Sequence, residues 1–294
     1  MGVGEDFQKF KDSYNITSAL ISSISYRYKR ITKQLNTDFW TTDSDTAHSL
    51  YVGSYGRDTA AKGVSDLDVA FILPNAVYHQ YNQHEGNGQS ALLQAVKRSM
   101  QKTYPTSDTS GDGQVVIIKF DDDLTFEVLP VFENKDGESF TYPSANGGGS
   151  WKVCNPRAEI KAVKKRSDET NTNLKYLARM MRVWRDYCSV PMSGALVDTL
   201  AYQFIENYQY RDKSFLYHDF VARDYFDFLS KQDEKQTVWR APGSGSHVVR
   251  TGVFEHKARG AHLRAVEAIK YNDDNHEWSR RQKWREVFGT LYPG

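Results

Sequence analysis

The sequence predicts an α+β fold, with helices and strands alternating in its first half and helices filling its second. Three patterns carry that reading. Ile21, Ile24, Tyr28, Ile31 and Leu35 recur at spacings of three and four, which puts them on one stripe of an amphipathic helix. Residues 66–74, Asp-Leu-Asp-Val-Ala-Phe-Ile-Leu-Pro, read as a strand stopped by proline. Residues 115–120 and 124–132 are two more apolar runs, joined by the hairpin turn Asp121-Asp122-Asp123.

In chain order, the first helix is expected to start near Asp6 and to run long, as a structural spine. Residues 49–54 form a short strand running into a Gly53-Ser54 turn, and residues 57–63 form a polar loop. Leu92, Leu93 and Val96 mark a helix over residues 90–102. Gly147-Gly148-Gly149-Ser150 reads as a hinge, since it lacks the Gly-Lys-Ser/Thr ending of a phosphate-binding loop. Beyond it, Leu174, Leu177, Met181, Trp184 and Cys188 form one helical stripe. Residues 195–208 and 215–229 are further helices. Ala258, Ala261, Ala265 and Ala268 form a small-residue stripe, and Trp284 and Phe288 pin the last helix. The expected division is residues 1–150, a core with a mixed or antiparallel sheet and its spine helix, and residues 151–294, a helical domain.

Composition narrows the function. The chain has 294 residues, 39% hydrophobic and 26% charged, enough for a buried core. Lys and Arg total 38 against 37 Asp and Glu, which argues against a protein built mainly to coat nucleic acid. The charge is uneven: residues 1–150 carry 13 Lys/Arg against 19 Asp/Glu, and residues 151–294 carry 25 against 18. Either the surface composition varies by chance, or metal-binding carboxylates face phosphate-binding cations. Two cysteines, Cys154 and Cys188, do not make a disulfide framework. With no apolar signal core and no run of 18 apolar residues, the expectation is a cytoplasmic protein without membrane contact.

A strand sends alternate side chains to one face, so Asp66 and Asp68 point the same way while Leu67 and Val69 point into the core. Paired carboxylates repel unless a cation lies between them, and magnesium favours such hard oxygen ligands. Glu127, inside the apolar strand Phe126-Glu127-Val128-Leu129-Pro130, supplies the third acid that two-metal phosphoryl transfer requires. Asp66 alone would be a turn residue; with Asp68 and Glu127 the metal reading prevails. Asp121, Asp122 and Asp123 are read as solvated, and Glu133 as the weaker alternative. Gly53 lets a backbone approach a triphosphate, and Ser54 adds a hydroxyl for the β and γ phosphates.

Val52-Gly53-Ser54-Tyr55-Gly56-Arg57-Asp58-Thr59-Ala60 followed by Val64-Ser65-Asp66-Leu67-Asp68-Val69 resembles the signature of polymerase-β-type nucleotidyltransferases. Glu127-Val128-Leu129-Pro130 and Trp284-Arg285-Glu286-Val287-Phe288-Gly289 make the chain similar, more narrowly, to the CD-NTases, the bacterial cGAS/DncV-like enzymes of anti-phage signalling. The resemblance implies a polymerase-β-like core packed on a C-terminal helical domain that closes a nucleotide cleft. It implies two Mg2+ ions, with Mn2+ as a substitute, held by Asp66, Asp68 and Glu127. The substrates would be NTPs (ATP, GTP or pyrimidine NTPs), joined into a cyclic di- or oligonucleotide second messenger. A regulatory protein or a nucleic acid would be the activator. Nucleotide contacts are implied for Gly53, Ser54, Arg57, Arg182 and Ser193. Where the family often has an aromatic that stacks on the base, this chain has Gly194, so Tyr55, Tyr202 and Tyr208 become the candidates. Other readings keep the fold and change the acceptor to RNA, protein or a linear oligoadenylate, or keep only nucleotide binding.

The eight histidines show no metal spacing. Lys161, Lys164, Lys165 and Arg166 form a charge run that reads as a solvated helix face in preference to a nucleic-acid patch.

Overall fold

A computed structural model describes residues 2–273 and 276–294. In order, the elements are α1 (Val3–Tyr14), α2 (Ser18–Trp40), β1 (Ser49–Tyr51), α3 (Gly53–Gly56), β2 (Asp66–Ile72), α4 (Asn75–Asn82) and α5 (Gly88–Thr103). Next come β3 (Asp108–Asp112), β4 (Val115–Lys119), β5 (Thr125–Glu133), β6 (Phe140–Ser144) and β7 (Ser150–Cys154). The rest is α6 (Pro156–Glu169), α7 (Asn173–Tyr187), α8 (Gly194–Ile205), α9 (His218–Ser230), β8 (Val238–Arg240), β9 (His247–Val249), α10 (Glu255–Asp273) and α11 (Glu277–Phe288). The α+β class is as the sequence predicts. Among the described residues no helix is long and apolar enough to cross a membrane.

Two compact units divide these elements. One holds Ile16–Arg57 and Gly63–Ile160; the other holds Met1–Asn15, Asp58–Lys62 and Lys161–Gly294. The first is built on a mixed sheet in the order β1-β2-β5-β4-β3, with β6 joined to β5 and β7 joined to β6. β2 and β5 run parallel, and the other pairs are antiparallel. Leu67, Val69 and Phe71 of β2 and Phe126, Val128 and Phe132 of β5 face one core, shared with Ile24, Ile31 and Leu35 of α2 and Leu92, Leu93 and Val96 of α5.

The expected single spine helix is two helices. The chain breaks at residues 15–17, where Thr17 caps α2 by accepting the Leu20 N–H at 3.3 Å. Ile21, one turn into α2, lies outside the buried stripe and is 46% exposed. The glycine run at 147–149 is not a hinge. It turns β6 into β7, with Ser144 opposite Ser150.

The second unit packs α7 through Leu174, Leu177, Met181 and Trp184 against α1, α8 and α11. Ala258, Ala261, Ala265 and Ala268 of α10 are all buried, and small side chains there let α9 and α11 approach closely. Asp6 of α1 is fully buried. It is held by Arg280 at 2.6 Å and Arg281 at 3.0 Å, which ties the first helix to the last.

Candidate active site

The register of β2 and β5 sets the acids. Asp68 is opposite Glu127, and Asp66 is opposite Thr125. Alternation puts Asp66, Asp68 and Glu127 on the face away from Leu67, Val69, Phe126 and Val128. A slip of one residue would bury three carboxylates and expose the core, so the apolar pattern fixes where the acids point. Asp66 is exposed, and Asp68 and Glu127 are half-buried.

The Glu127 carboxyl is pushed above its ordinary value, first by burial, then by the charges of Asp68, Asp66 and Asp112. Sequence reasoning missed Asp112. It ends β3 opposite Val115, while Ile117 of β4 lies opposite Glu127, so Asp112 shares the acidic face two strands away. The polar run Asp-Thr-Ser-Gly-Asp carries no strand signal that could have revealed it. The acids share a face and a field without forming a closed cage. Among the described residues, no three His, Cys, Asp or Glu side chains converge tightly enough to hold an ion as they stand.

Gly53 meets this site through its backbone. β1 pairs with β2, and the Val52 N–H donates to the Asp68 carbonyl at 2.9 Å. The chain then turns into α3 with Gly53 at φ +59°. A Cβ there would fall inside the Asp68 carboxylate. Positive φ and close approach each call for glycine. Ser54 follows on the single turn of α3.

The remaining candidates have employment inside their own units. Arg57 closes α3 and pairs with Glu159 at 2.9 Å. Arg182 is no solvated cation: its side chain is 9% exposed, and Nη2 lies 2.8 Å from both carboxylate oxygens of Asp198 and 3.1 Å from the Gly194 carbonyl. Thr59 Oγ1 donates to the same Asp198 at 2.7 Å. A Cβ at Gly194 would strike the Arg182 guanidinium, so a bulky aromatic there would displace this pair. Ser193 caps α8 by accepting the Leu196 N–H at 3.1 Å.

Tyr55 packs on Tyr51, Tyr202 lies under the Arg166 guanidinium, and Tyr208 donates to Asp224 at 2.8 Å. Asp122 is paired with Arg27 at 2.8 Å. In the charge run, Lys164 and Lys165 pair with Asp168 and Glu169. Arg166 is drawn inward to Tyr202 and Glu206, so only the lysines form the solvated face expected.

The first unit is thus a mixed sheet whose parallel β2–β5 pair carries three acids on one face, beside the Gly53 turn. Residues 1–167, more than half of the chain, match the family model SMODS, the Second Messenger Oligonucleotide or Dinucleotide Synthetase domain. The chain belongs to that family, and it is a nucleotidyltransferase. Three solved structures are similar in fold. CdnC of E. coli MS115-1 in complex with HORMA-deltaN is 13% identical, with a TM-score of 0.69 over 99% of this chain and 98% of that one. CdnC of the same strain with ATP is 14% identical, with a TM-score of 0.67 over 99% of each chain. The CD-NTase CdnG of Bradyrhizobium diazoefficiens in complex with GTP is 13% identical, with a TM-score of 0.65 over 97% of this chain and 94% of that one. No curated protein matches the chain in sequence.

Proposed function

We propose that the chain joins NTPs into a cyclic di- or oligonucleotide that serves as a second messenger in anti-phage signalling. Asp66, Asp68 and Glu127 hold two divalent ions, Mg2+ with Mn2+ as a substitute. The observation that carries this reading is the register of Asp68 with Glu127 on one face, where burial and the charges of Asp68, Asp66 and Asp112 push the Glu127 carboxyl above its ordinary value. Hard oxygen donors of this kind suit Mg2+. Bound there, the ions would neutralise triphosphate charge and lower the pKa of the attacking hydroxyl.

Gly53 and Ser54 cradle the triphosphate, with no Cβ at Gly53 to hold it away from Asp68. A ribose hydroxyl attacks the α-phosphate, forming a phosphodiester bond and releasing pyrophosphate, while Glu127 accepts the hydroxyl proton. A second transfer closes the ring. Arg57, Arg182 and Ser193 would add any nucleotide contact to the bonds they already make. ATP and GTP, bound by CdnC and CdnG respectively, are the first substrates to try, and the HORMA-deltaN partner of CdnC supports a protein regulator. The cytoplasm is the compartment we assign, where Cys154 and Cys188 would stay thiols.

Labelled NTPs incubated with the protein and Mg2+ or Mn2+, then treated with phosphatase and resolved by thin-layer chromatography, test the proposal. A small phosphatase-resistant product is expected, and Asp68→Ala should abolish it. Label retained on RNA or protein, with no small product, would favour a macromolecular acceptor instead.

A further inference from the structure

A second candidate site lies wholly within the helical unit. A cavity of about 340 Å³ opens where the end of α7 meets the first turns of α10 and the end of α11. Its apolar lining comes from Trp184, Ala261 and Val287. At Gly260 there is no side chain to fill the gap. A Cβ there would come 3.2 Å from Arg264 Nη1, which folds back to donate to the Gly260 carbonyl at 3.0 Å. The glycine therefore both opens the cavity and seats the arginine at its edge.

The charges around the opening do not cancel. Glu286 is the acidic member of the lining, and both its oxygens are engaged: one by Arg264 at 3.0 Å and the other by Lys283 at 3.1 Å. Lys257 lines the cavity and donates to the Cys188 and Ser189 carbonyls at 2.6 and 2.9 Å, which are neutral acceptors. An ammonium has three donors, so one remains for a ligand. Arg264 spends Nε and Nη1 on Glu286 and Gly260, and its Nη2 has no protein partner among the described residues. The result is a small apolar recess with two donors and a surplus of positive charge at its mouth.

We propose that this recess binds a small organic anion, a carboxylate on a short apolar body, with the body against Val287 and Ala261 and the carboxylate on Lys257 and Arg264. Its volume is at the small end of ligand pockets, about 300–1,000 Å³, which suits a metabolite and not a polymer. The site is independent of the acidic face and of the nucleotide chemistry.

The probe is 4-fluorobenzoate, followed by ¹⁹F NMR as it is titrated into the whole protein. Saturable broadening is expected, weakened at least tenfold by Arg264→Gln, which removes a charged donor, and by Gly260→Leu, which fills the recess. Binding should survive Asp68→Ala and an excess of ATP. No saturable binding to the parent protein would overturn the proposal. So would equal binding by both variants, or displacement of the probe by ATP, which would put it at the nucleotide site. Circular dichroism of each variant separates loss of binding from loss of fold.

Discussion

Gly53 is the residue at which backbone geometry and chemistry meet. Its positive φ and the Asp68 carboxylate against its Cα leave no place for a methyl group. Gly53→Ala should therefore cost about 1–3 kcal/mol of stability by urea denaturation and reduce nucleotide transfer by pushing Asp68 out of line. A variant with parent-like activity would show that Asp68 does not need its present position. Two adjacent residues, His218 and Asp219, respond to pH in opposite senses. Burial holds His218 down at about 4, so its contribution to stability is lost as pH falls from 6.5 towards 4. Burial raises Asp219 to about 6, so protonation in the fold adds stability as pH falls from 6 towards 3.8. Each effect amounts to about 3 kcal/mol at most, and they nearly offset each other. Asp219→Asn should make the acid loss of stability between pH 6 and 4 steeper than in the parent, and His218→Phe should make it shallower. Parallel urea midpoints at pH 7 and 5 for all three proteins would contradict this assignment.

Among the elements, α2 and α8 show the same device, a hydroxyl accepting an N–H three residues on. Thr17→Ala and Ser193→Ala should each cost about 1 kcal/mol. If Ser193 also contacts the triphosphate, only its variant raises the KM for NTP, and that is the outcome we expect. Equal KM values in the two variants would leave Ser193 as a cap alone. The elements also show what a sequence discloses. β4 was legible as a short apolar run, and β2 and β5 because an apolar alternation of period two must face a core, the same alternation that revealed Asp66, Asp68 and Glu127. α7 and α10 were legible through their three-and-four spacing. The break between α1 and α2 was not, because Asn15-Ile16-Thr17 contains neither glycine nor proline and the break is stabilised by a side-chain cap. β3 was hidden because its pairing with β4 is a matter of backbone bonds that Asp-Thr-Ser-Gly-Asp does not advertise, and Asp112 was hidden with it. α6 buries only Val163 and Ser167, too little for a stripe. The partners of Arg57 and Arg182, Glu159 and Asp198, lie 102 and 16 residues away and were invisible to local patterns.

At the scale of the molecule, the two ends of the chain are joined by one buried carboxylate. Asp6→Ala would remove the buried carboxylate that Arg280, 3% exposed, holds at 2.6 Å, and should cost about 3–5 kcal/mol in thermal or urea unfolding. A loss below 1 kcal/mol would mean that the tie is dispensable. The larger claim is that the chain folds so as to bring three acids from two parallel strands to one set of divalent ions. Electron paramagnetic resonance of Mn2+ bound in the presence of a non-hydrolysable ATP analogue tests it most directly. The parent protein should bind two ions per chain, Glu127→Gln should lose one of them, and Asp68→Ala should lose both. Two ions bound alike by all three proteins would contradict the account.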